Sequence, residues 1–152
     1  MVDCAGGKIR YIDHGSITTA AGRPQAQRLF AIMEDLRSVL DKYRPTESSV
    51  ETLYFGRNVS SAIPVAEARG VIFAVLAERS LPVMELRPNE IKQGVTGVAS
   101  ADKKQVQEMV RIILGLADPP KPDHAADALA AAICAANSTH AAPSGVDYTA
   151  IF

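Results

Sequence analysis

The chain has 152 residues, 47% of them apolar, and a formal net charge of −1 at neutral pH. That length and apolar content fit one domain with a real core and exclude a disordered chain. The near-zero charge excludes a generally basic nucleic-acid coat, so any DNA contact must come from a local patch. Two cysteines, Cys4 and Cys134, lack ligand spacing and read as buried, reduced thiols. No apolar run reaches membrane-spanning length and the start lacks a basic-then-apolar leader, so a soluble, cytoplasmic protein is expected.

Residues 1–5 and 8–13 flank Gly6-Gly7, a two-residue hairpin signal. From Pro24 to Tyr43, the spacing of Leu29, Ile32, Met33, Leu36, Val39, Leu40 and Tyr43 predicts a helix, with Pro45 beyond its end. Ser48 to Phe55 alternates as a strand and carries Glu51. A second helix is predicted from Ser61 to Arg79, with Pro64 in its first turn. Leu81 to Leu86 reads as a strand, and Arg87 to Ala99 as a loop holding Lys92. Ser100 is the expected cap of a third helix with the stripe Val106, Met109, Val110, Ile113 and Leu114. Ala117 to Pro122 is a rigid connection into a small-residue helix that starts near His124. From Asn137 the composition turns polar and Gly/Pro-containing, so a domain over 1–137 and a flexible tail over 138–152 are expected. Strands alternating with helices predict an α/β layered domain.

His124 and Asp127 stand three apart, which on a helix places an imidazole and a carboxylate on one face. They offer two ligands to a divalent ion, or mark a helix start whose acids favour its positive end. Glu51 is either an exposed strand acid or one held among the buried neighbours Val50, Leu53 and Phe55, where an unpaired carboxylate is costly. A strand acid with a helix acid is a minimum scaffold for Mg²⁺, which prefers hard oxygen donors.

Glu51 to Asn58, Glu67 to Val71, Val95 to Val106 and His124 to Ala130, taken in order, resemble the RuvC family of Holliday-junction endonucleases, within the ribonuclease H-like superfamily. Glu51-Thr-Leu-Tyr-Phe-Gly-Arg-Asn58 is similar to the family's strand acid and aromatic DNA-facing loop, and Glu67-Ala-Arg-Gly-Val71 to its Gln-Ala-Arg-Gly helix motif. Val95 to Val106 resembles the glycine loop and basic helix start, and His124-Ala-Ala-Asp-Ala-Leu-Ala130 the C-terminal metal-binding helix. The resemblance implies a mixed sheet flanked by helices. It makes Glu51, His124 and Asp127 the catalytic, metal-binding residues, with His124 as ligand or proton shuttle. Tyr54, Arg57, Lys92, Lys103 and Lys104 become the DNA contacts, with Tyr54 against a base. It also implies two Mg²⁺ ions per site, a homodimer that nicks four-way junction DNA symmetrically, and the RuvA and RuvB branch-migration complex as partners.

At the front, Tyr11-Ile-Asp-His-Gly-Ser16 imitates the family's opening Ile-Asp-Pro-Gly-Ser. Too few residues separate Asp13 from Glu51 to hold the two strands and helix that lie between the family's first two acids. Residues 1–13 therefore match the second and third strands, and the first, central strand with its bridging aspartate is expected to be missing. Two other functions follow as alternatives: another ribonuclease H-like nuclease, or a junction-binding module with impaired catalysis.

Overall fold

The computed structural model describes residues 1–53, 59–139 and 148–150. They divide into two compact units, one of Met1–Ser16, Pro45–Thr52 and Val83–Phe152, the other of Ile17–Arg44 and Leu53–Pro82.

The first unit opens with an antiparallel hairpin, β1 (Val2–Ala5) and β2 (Lys8–Tyr11), in the register Val2↔Tyr11 to Ala5↔Lys8. Gly6 and Gly7 both take positive φ, 58° and 76°, which lets a two-residue turn match the twist of the strands. Alternation buries Val2 and Cys4.

β3 (Glu47–Glu51) pairs in parallel with β4 (Val83–Leu86), in the register Ser48↔Val83 to Glu51↔Leu86. On its other side it pairs, again in parallel, with β5 (Tyr148–Ala150), from Glu47↔Tyr148 to Ser49↔Ala150. β5 also lies against β1. The place beside β3 is thus taken by a strand from the C-terminal segment, whose small polar composition gave no strand signal. Ser48, Ser49 and Val50 are all buried, as expected of a parallel strand covered on both faces. β3 ends four residues before the expected Phe55, and residues 54–58 lie outside the described ones.

The core of this unit is α5 (Asp123–Thr139). From Leu129 to Ala136 every residue is buried, so the helix is apolar on all sides. Its alanines allow close approach: a Cβ on Gly94 would stand 2.5 Å from the Cys134 Sγ.

Gly94 belongs to α3 (Pro88–Thr96), a helix where a loop was expected. Pro88 at its first position, Glu90 accepting from the Arg87 N–H at 2.7 Å, and Gly97 closing it at φ 75° are local helix signals. Ile91 and Val95 give it one buried stripe. α4 (Lys103–Leu114) buries Val106, Val110 and Leu114. Its cap is Asp102 and not Ser100: the Asp102 carboxylate accepts from the Gln105 N–H at 2.9 Å, and the Gln105 side chain accepts from the Asp102 N–H at 2.8 Å. That reciprocal pair satisfies two donors that a helix start leaves open.

The second unit holds α1 (Gln25–Tyr43) against α2 (Val59–Glu78), with Leu36, Leu40, Ile72, Val75 and Leu76 buried. Arg37–Glu78 at 3.0 Å and Arg79–Asp41 at 2.7 Å tie the two helices at their far ends. Because α2 begins at Val59, two residues before the expected Ser61, Pro64 falls in its second turn and removes an internal hydrogen bond.

Candidate active site

The site is built where β3 ends beside the start of α5. Parallel pairing carries Glu51 to the end of β3 opposite Leu86. The Thr52 N–H then donates to the Leu86 carbonyl at 2.9 Å, so the backbone leaving the carboxylate is held. Glu51 is half-buried. Its carboxyl is pushed above the usual range, first by burial and then by the charge of Asp127. Two acids from different elements are therefore within electrostatic reach of each other.

Asp127 lies one turn into α5, directly after the buried Ala125 and Ala126, and is part-exposed. Its Oδ2 stands 3.7 Å from the Lys103 Nζ. The same ammonium lies 3.1 Å from the Asp123 Oδ2, and the other Asp123 oxygen accepts from the Gln107 side chain at 3.2 Å. Lys103 and Gln107 are four apart on α4, so one face of that helix meets the start of α5. The hydrogen bond from Lys103 draws the Asp123 carboxyl below the usual range, and Asp123 in turn raises the ammonium.

The donor chemistry fits a hard divalent ion. Glu51 is desolvated and faces a like charge, and a cation shared with Asp127 relieves both penalties. His124 is exposed at the outer end of α5. Among the described residues no three His, Cys, Asp or Glu side chains converge as a metal-holding group. The structure thus brings Glu51 and Asp127 together without closing His124 onto them.

The basic residues divide. Lys103 joins the acids. Lys104 follows it in the first turn of α4 and is exposed, and Lys92 is part-buried on α3. Tyr54 and Arg57 lie outside the described residues. Asp13 accepts from the His14 N–H at 2.9 Å, just beyond β2. Asp123 and Gln107 were missed as site residues. The only sequence signal was an acid at a helix start, and that does not say which lysine faces it.

A family model described as "Crossover junction endodeoxyribonuclease RuvC" matches residues 1–135. The chain belongs to the RuvC family. It is similar to the RuvC of Chloroflexus aggregans, 48% identical over 134 residues, covering 88% of this chain and 82% of that relative. With RuvC of Treponema denticola the identity is 47% over 137 residues, 90% of this chain and 77% of the relative. The solved Thermus thermophilus RuvC superposes with a TM-score of 0.84 at 33% identity, covering 92% of this chain and 86% of that one. A structure of T. thermophilus RuvC in complex with Holliday junction substrate superposes at 0.86, with the same identity and coverage. The RuvC architecture, a ribonuclease H-like α/β fold, is the one predicted from the ordered segments.

Proposed function

We propose that this RuvC-family chain resolves Holliday junctions by paired symmetric nicks, hydrolysing phosphodiester bonds with Glu51 and Asp127 as its metal-binding acids. The observation that carries the reading is Glu51 at the end of β3 within electrostatic reach of Asp127 on α5, with Lys103 beside Asp127.

Bound Mg²⁺, two ions in the full family pattern, supplies charge stabilisation at the phosphate and an activated water. The protein's own groups do the rest. Glu51, half-buried at a strand end, is held in one place, while Asp127 presents its carboxylate from a helix packed into the core. His124, three residues before Asp127 on the same helix, serves as a metal ligand or as a proton shuttle. Lys92, Lys103 and Lys104 contact phosphates. Lys103 and Lys104 support this from the first turn of α4, where Lys103 stands beside Asp127. In the family reading Tyr54 stacks on an unpaired base and Arg57 contacts a phosphate.

Symmetric cutting of a four-way junction calls for two matched sites, which an isologous homodimer supplies. α2 supports such an interface, since Gly70 and Ala74 are exposed there and Ile63 and Val65 are 53% and 49% exposed. RuvA and RuvB are the partners that the family reading brings. Among the described residues no helix is long and apolar enough to cross a membrane. Work on DNA puts the chain in the cytoplasm.

A second reading is junction binding without cleavage. One gel separates the two. Labelled four-way junction and matched linear duplex are incubated with the chain in Mg²⁺ and in EDTA. Symmetric nicks only on the junction and only with Mg²⁺ are expected. Junction-selective shifting without nicks would establish the binding-only reading instead.

A further inference from the structure

Asp123 has no part in the reaction as described, yet it is the best-anchored acid at the start of α5. Gln107 binds one of its oxygens at 3.2 Å and Lys103 the other at 3.1 Å, while Lys103 reaches Asp127 only at 3.7 Å. The lysine is therefore shared unequally, with the shorter contact to the acid that is not assigned to the metal.

We infer that Asp123 is a positioning residue that draws Lys103 off Asp127, keeping the Asp127 carboxylate available to a divalent ion. An ammonium and a metal ion compete for the same carboxylate oxygens, because each stabilises the ionised form by its positive charge. Without Asp123, Lys103 has Asp127 as its remaining partner in the cluster and closes on it. With Asp123 in place, Lys103 remains at the rim of the site when the ion arrives, within reach of a phosphate. Gln107 supports this from the same face of α4 by fixing the Asp123 side chain, so the device consists of two α4 residues and one α5 residue. The inference rests on Asp127 as a metal-binding acid.

The test is Mn²⁺ binding to the full chain without DNA, followed by electron paramagnetic resonance of the free ion. Asp123→Asn is expected to weaken binding about 2- to 5-fold, the scale of an exposed ion pair. In a Lys103→Met background the same change is expected to do nothing, because no ammonium remains to close on Asp127. Gln107→Ala, which leaves every charge in place, should weaken binding in the same direction by a smaller factor. Equal weakening in both backgrounds would overturn the inference, since Asp123 would then act only as one more negative charge near the ion. Unchanged or tighter binding in Asp123→Asn would also overturn it. Asp127→Asn keeps the two levels distinct: if it leaves Mn²⁺ affinity intact, the metal assignment of Asp127 has failed, and the role of Asp123 falls with it.

Discussion

Asp127 on α5 raises the proton affinity of Glu51 on β3, although 76 positions of sequence separate them (127 − 51). Burial is the larger cause and the like charge the second. The native fold therefore holds a carboxylate pair that opposes itself until a cation arrives. Glu51→Gln removes that opposition at almost constant volume. In EDTA at pH 7 the variant is expected to melt at a higher temperature than the parent, while nicking of junction DNA is lost. Adding Mg²⁺ should raise the melting temperature of the parent, by binding to the native state, and leave the variant nearly unmoved. Calorimetry with and without metal checks both parts, and a variant less stable than the parent in EDTA would contradict the argument.

Lys104 is exposed in the first turn of α4, beside Lys103 but with a free path to solvent. Lys104→Ala should weaken junction binding similarly for all sequences. It should also lower the slope of log affinity against log salt by about one, as for the loss of one phosphate contact. Filter binding across a salt series measures it. An unchanged slope would place Lys104 on a solvated face away from DNA.

Gly94 is pressed against Cys134, and a Cβ there would stand 2.5 Å from the sulfur and 3.3 Å from the Cys134 Cα. Both partners lie on helices, so neither backbone can give way alone. Gly94→Ala is expected to destabilise the chain by about 1–3 kcal/mol through overpacking, despite the better helix propensity of alanine. Pairing it with Cys134→Ala should recover much of the loss, which urea titration would show.

Burial pushes the Cys134 thiol above its ordinary value, with the charge of Glu90 adding to it. Its Sγ donates to the Glu90 carbonyl at 3.4 Å. A folded pKa above the unfolded one means that the contribution to stability is complete below the unfolded value of about 8.5 and is lost as pH rises through the folded value. Stability is therefore expected to decline above pH 9 and to decline less in Cys134→Ala. Below pH 8 the native thiol should resist alkylation until the chain unfolds. Rapid modification of the native protein at pH 8 would sink this prediction.

Local patterns made much of this protein legible from its residues. The Gly6-Gly7 hairpin, the α1 stripe, the α4 stripe and the small-residue α5 are set by turn chemistry and by periodicity, which act over a few residues. Arg87 to Ala99 reads as a loop because its two glycines outweigh the Ile91–Val95 spacing, although Pro88 and Glu90 are helix start signals. The order and spacing of the four segments carried the resemblance to the family, and that resemblance singled out Glu51 and Asp127.

Relations between distant segments belong to the tertiary structure alone. No periodicity in Tyr148–Ala150 tells it to pair with β3, because a three-residue strand takes its stability from the neighbours that accept its backbone groups. Likewise Lys103 could have faced solvent, DNA or either aspartate. The packing of α4 on α5 set it 3.1 Å from Asp123 and 3.7 Å from Asp127. Sequence determined which groups are present and on which elements. Distance and burial, which decide how strongly charges act on one another, came only from the fold.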